Sequence, residues 1–99
     1  MPRDRLTRSE IDGALQELNG WTLAETGDAI SRQFRFADFA AAFGFMAECA
    51  VYAEKIDHHP EWSNVYRNVD VRLTTHSAKG LTELDTKLAS FMDKVARRH

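Results

Sequence analysis

The stretch EKIDHHPEW, residues 54–62, gathers groups that can move protons or hold a metal. His58 and His59 are adjacent, Glu54 and Asp57 precede them, and Pro60 and Trp62 follow. A third histidine, His76, closes a later run of alternating residues. Three uses are open to such a set. A histidine ending a helix is favoured by the helix dipole and can serve stability alone. Three imidazoles with Glu54 or Asp57 could instead hold zinc, although neighbouring residues point their side chains apart and neither an HExxH pattern nor a cysteine pair accompanies them. The third use is acid–base work. Imidazole titrates near neutral pH, so one ring can give a proton while another takes one, with Glu54 and Asp57 holding a tautomer or a charged ring. No covalent nucleophile is implied. Cys49 falls in the middle of a helical pattern with no histidine at a contact position, and neither Gly-x-Ser-x-Gly nor a phosphate-binding loop occurs.

The elements that must position these groups are legible from periodicity. Thr7 and Glu10 have capping-box spacing, Leu6 and Ile11 suit a hydrophobic staple, and Ile11, Leu15 and Leu18 predict a first helix that stops at Asn19-Gly20. Residues 21–25 (WTLAE) and 29–36 (AISRQFRF) alternate around the turn TGD and predict a hairpin, with Arg32 interrupting the apolar face of Ile30, Phe34 and Phe36. Asp38 caps the longest helix, residues 38–56. That helix carries two apolar stripes, Phe39-Phe43-Met46-Ala50-Ala53 and Phe45-Cys49-Tyr52-Ile56, so it is expected to be covered on two sides, which hints at an oligomer. It must end near Ile56 or Asp57, because a residue before proline, here His59, is pushed to extended geometry.

Residues 62–66 (WSNVY) and 69–75 (VDVRLTT) predict a second hairpin turning at Arg67-Asn68, with Val69, Val71, Leu73 and Thr75 on one face. A last helix starts at Thr82, whose capping-box partner is Asp85, and buries Leu84, Leu88, Phe91 and Val95. The order α-β-β-α-β-β-α implies an α+β fold, one four-stranded antiparallel sheet with helices packed on its apolar face. His58 and His59 then leave the long helix at a corner, and His76 ends the fourth strand. The two places meet if helix and sheet stop at the same rim.

The totals bound the rest. Ninety-nine residues, 43% hydrophobic and 28% charged, suit a single globular domain spanning 1–99. A net charge of −2 gives no reason to expect nucleic acid or an anionic membrane as partner. The start MPRDRLTRSE lacks an apolar secretory region, no run reaches membrane-spanning length, and the lone Cys49 excludes an internal disulfide, so a cytoplasmic location is expected.

Within this frame, residues 54–89 resemble the pterin-4a-carbinolamine dehydratase family. The family pattern is matched by Glu54-Lys55, His58-His59-Pro60, Trp62, Val65-Tyr66, Thr75-His76, Gly80-Leu81-Thr82 and Asp85, and likeness extends over about residues 9–96 through GW (20–21) and FRFADFAAAFGFM (34–46). Arg67 departs from the family's usual Asn, a difference that falls on the turn rather than on the histidines. The resemblance implies a hydro-lyase that removes water from 4a-hydroxytetrahydropterin in tetrahydrobiopterin recycling, with no metal and no cofactor.

It also implies that His58 and His76 transfer protons while His59 binds and orients the pterin. Glu54 and Asp57 are then supporting carboxylates. Asp85 is either the family's helix aspartate or only a cap, and Trp62 either stacks on substrate or packs as a strand aromatic. The expected partners are the pterin, further copies of the chain as a homodimer or homotetramer, and functionally an aromatic amino-acid hydroxylase. Two alternatives remain open, an interaction module of the transcription-factor dimerisation-cofactor type and a pterin-binding protein of another pathway such as molybdopterin.

Overall fold

The computed structural model describes residues 4–99; residues 1–3 of the charged amino-terminal stretch lie outside them. The elements run α1 (Arg8–Gln16), β1 (Thr22–Leu23), β2 (Ile30–Arg35), α2 (Phe39–Lys55), β3 (Glu61–Val65), β4 (Asn68–Leu73), a 3-10 turn (His76–Ala78) and α3 (Glu83–Ala96). The four strands form one antiparallel sheet in the order β1-β2-β4-β3. This is the α+β architecture that the periodicity predicts. Alternation sorts the strands: Ile30, Phe34, Val69, Val71 and Leu73 are buried beneath the helices, whereas Gln33, Ser63 and Asp70 face outward and are exposed. Among the described residues no helix is long and apolar enough to cross a membrane.

Helix starts follow the sequence closely. Thr7 and Glu10 form the expected capping box, and Asp38 accepts from the Ala41 N–H at 2.8 Å. Helix α1 closes at Gln16, sooner than the Asn19-Gly20 stop, and Gly20 takes the positive φ of 91° in the turn beyond it. Arg32 does lie on the helix-covered side of β2. Its guanidinium reaches Asp93 of α3 at 2.8 Å and sits over the Phe34 ring, while Trp21 Nε1 donates to the same carboxylate at 2.9 Å. An ion pair at the rim thus resolves the break in the apolar face.

Three expectations shift. The face of α2 covered within the chain cuts across both predicted stripes: Ala42, Phe45, Cys49 and Ala53 are buried and Met46, Tyr52 and Ile56 pack beside them, whereas Phe39 and Phe43 are 50% and 58% exposed. On α3 the buried face runs through Asp85, Leu88, Ala89, Met92 and Val95. Leu84 and Phe91 are only half-buried, and Phe91 stacks on Tyr52 with ring centroids 3.9 Å apart. The helix is rotated because Asp85 turns inward, for a reason that lies in the site. Finally, the second hairpin turns at Tyr66-Arg67, one residue before the expected Arg67-Asn68. Tyr66 adopts the left-handed conformation at φ 54°, and the Asn64 side-chain amide secures the turn by donating to the Tyr66 and Asn68 carbonyls.

Candidate active site

Helix α2 ends in a Schellman motif. The His58 N–H bonds back to the Ala53 carbonyl at 3.0 Å, the Asp57 N–H bonds to Glu54 at 3.2 Å, and Asp57 takes the left-handed conformation with φ 53°. That local geometry turns the chain sharply and drives the His58 side chain inward, where it is only 9% exposed. His59 emerges on the other side of the corner and stays exposed. Pro60 leads directly into β3, which runs along β4 so that Glu61 lies opposite Arg72. Three residues beyond the end of β4 comes His76. The rim shared by the end of α2, the start of β3 and the end of β4 therefore gathers all three histidines, as the topology allows.

Each imidazole meets a carboxylate through Nε2. His58 lies 2.5 Å from Asp85 Oδ1, His59 lies 2.9 Å from Glu54 Oε1, and His76 lies 2.7 Å from Glu61 Oε2. Their surroundings differ sharply: the side chains are 9%, 57% and 80% exposed in that order.

Asp85 is both a helix cap and the partner of His58. Its Oδ2 accepts from the Thr82 N–H at 2.9 Å, completing the capping box, and from the Thr75 hydroxyl at 2.7 Å. Its Oδ1 is left for His58. Because the Thr75 hydroxyl is committed to Asp85, the Thr82 hydroxyl donates to Thr75, 2.9 Å away, and itself accepts from the Leu84 N–H. Asp85 and Thr82 are fully buried, and no buried side-chain polar atom among the described residues lacks a partner.

The loop after β4 is closed by a backbone bridge between Thr75 and Gly80, with Lys79 in the left-handed conformation at φ 56°. Gly80 has no positive φ; the flexible, exposed side chain of Arg5 lies over it and would have to shift to admit a Cβ. Glu61 accepts from Arg72 at 2.9 Å through its other oxygen, and the hydrogen bond from His76 followed by that from Arg72 holds its carboxyl below the usual range. Cys49 is remote in character: burial, then the neighbouring Glu48 charge, pushes its thiol up to about 12.

The sequence-derived candidates sort as follows. His58 and Asp85 are joined, His59 and Glu54 are joined, and His76 stands at the same rim. Asp57 serves the backbone of the corner; its carboxylate is exposed and forms no ion pair with the three imidazoles. Trp62 is half-buried and packs against the core from β3. Arg67 lies in the turn at the far end of the hairpin, about five strand positions from the Glu61–Arg72 pair and so roughly 17 Å away. Sequence reasoning did not single out Glu61, Arg72 or the Thr75 hydroxyl. Among the described residues no group of three or more His, Cys, Asp or Glu side chains is placed to hold a metal ion.

The family model described as pterin 4 alpha carbinolamine dehydratase matches residues 4–95. Proteins provisionally named pterin-4-alpha-carbinolamine dehydratase from Brucella ovis and Brucella canis are each 56% identical over 96 residues, covering 97% of this chain and 99% of theirs. A crystal structure from Brucella melitensis, described as a transcriptional coactivator/pterin dehydratase, superposes with a TM-score of 0.91 at 56% identity over 94% of this chain and 99% of that one. The chain belongs to the pterin-4-alpha-carbinolamine dehydratase family.

Proposed function

We propose that the protein is a hydro-lyase that converts a 4a-hydroxytetrahydropterin to the quinonoid dihydropterin and water, in tetrahydrobiopterin recycling beside an aromatic amino-acid hydroxylase. The observation that carries this is the gathering of three imidazoles at one rim, each with its Nε2 within hydrogen-bond distance of a carboxylate. The reaction needs two proton movements and no electron transfer. A proton goes to the 4a-hydroxyl as the C4a–O bond breaks, and a proton leaves N5 as the C4a–N5 double bond forms. His58 and His76 form the proton-transfer pair, and His59 orients the bicycle. Charge developing on the pterin and the rings is offset by Asp85, Glu54 and Glu61.

The protein works in the cytoplasm as a homodimer or homotetramer. The exposed rings of Phe39 and Phe43, 6.0 Å apart on α2, support an association face. The same face and the coactivator description of the Brucella melitensis relative favour a second reading, an interaction module. The test is the decay of freshly generated 4a-hydroxytetrahydropterin with and without catalytic amounts of protein. Faster decay, lost in His76→Gln while fold and assembly persist, supports the enzyme; no acceleration by a folded preparation leaves the interaction module.

A further inference from the structure

We infer that Glu61 is the positioning residue of His76, fixing its neutral tautomer with the proton on Nε2 and so making Nδ1 the nitrogen that exchanges protons. The inference rests on the dehydratase reading for its consequence, but its structural part stands on geometry alone. His76 is the most exposed of the three imidazoles, and its backbone is set by the loop that the Thr75–Gly80 bridge closes. Among the described residues its ring is held by Glu61 Oε2, at 2.7 Å.

Glu61 is itself fixed from two directions. It opens β3 directly opposite Arg72 of β4, so the sheet ladder sets its backbone, and Arg72 binds its Oε1 at 2.9 Å. The two oxygens are thus divided, one for the guanidinium and one for the imidazole. Glu61 remains a carboxylate through neutral pH, because both hydrogen bonds lower its proton affinity. A carboxylate can only accept, so Nε2 must donate, and the lone pair of neutral His76 lies on Nδ1. When Nδ1 takes the proton from N5, the resulting imidazolium already touches a negative charge. No atom or electron beyond the proton itself is transferred. His59 has no equivalent hold, since Glu54 is 83% exposed and reaches it from the last turn of the same helix without a tether.

The experiment uses ¹⁵N NMR of the imidazoles in the ligand-free protein, at a pH where His76 is neutral, beside steady-state kinetics. In the wild-type protein His76 should show a protonated Nε2 and an unprotonated Nδ1, and in Glu61→Ala this should relax toward a mixture. Glu61→Gln and Glu61→Ala should lower kcat about 10–100-fold, the range typical when an outer partner of a histidine is lost, with KM changed less than about twofold. Thermal midpoints should stay within about a degree or two of wild type, as for other exposed substitutions. A wild-type His76 protonated on Nδ1, a tautomer unmoved in Glu61→Ala, or a wild-type kcat in that variant would each overturn the inference. A locked tautomer in a protein with no dehydratase activity would instead overturn the proposed function and leave the hold of Glu61 on His76 intact.

Discussion

His58 and His76 stand at the same rim and each leans on a carboxylate, yet the two pairs are built on opposite principles. The His58–Asp85 pair is sealed in, with Asp85 fully buried and shared among a helix cap, a threonine hydroxyl and the imidazole. The His76–Glu61 pair lies in solvent on the outer side of a sheet edge, steadied by a cross-strand arginine. Solvent screens an exposed pair, so that contact contributes little to folding. A buried one cannot be broken cheaply, because the group left behind has no water to turn to. If the two rings act as proposed, site chemistry and fold stability are fused at one histidine and separable at the other.

The comparison would break first at Asp85. Asp85→Ala should cost about 3–5 kcal/mol, typical of removing one member of a buried pair, and abolish dehydration with it; chemical denaturation and the decay assay read the two effects. If stability holds while activity is lost, the fusion is wrong. Next in size, His76→Gln should slow dehydration roughly 10²–10⁴-fold while stability moves by no more than about 0.5 kcal/mol. A loss of only a few-fold would demote His76 to binding. His59→Ala should act mainly on KM, and a large fall in kcat would move it into the proton-transfer pair.

The smallest effect sharpens the comparison at a distance. Glu48 and His99 form another exposed carboxylate–imidazole pair at 2.6 Å, joined by Arg98, and the bonds from His99 and then Arg98 lower the Glu48 pKa. A depressed carboxylate gives stability that is present above its ordinary value of 4.5 and is lost as pH falls through the lower folded value. The urea midpoints of wild type and Glu48→Gln should therefore differ slightly at pH 7 and converge in acid, with no change in dehydration. Divergence on acidification would have the wrong sign.

How much of this was legible follows the same division. Capping signals, strand alternation and the pre-proline rule gave the elements and the rim, because each depends on a few neighbouring residues. Asp85 could be seen as a cap, yet not as the partner of His58, since that contact depends on how α3 is rotated against the end of α2. Glu61 was hidden by register. With the hairpin turn placed at Arg67-Asn68, Ser63 falls opposite Arg72. With the true turn at Tyr66-Arg67, the partner is Glu61, and the carboxylate, the guanidinium and His76 come together. Asparagine is the usual tenant of a left-handed turn position, and here tyrosine takes it.

The double use of Asp85 also shapes how this sequence can drift. A substitution there must satisfy the start of α3 and His58 with one side chain of one length. A glutamate would place its oxygens a methylene too far along, and a serine could cap but would leave the imidazole unmatched. Single-step variation at this position has almost nowhere to go. In a library of random replacements scored only for soluble protein, with no substrate present, Asp85 should still rank among the least replaceable polar positions, so selection for foldedness alone would preserve half of the proposed proton-transfer site.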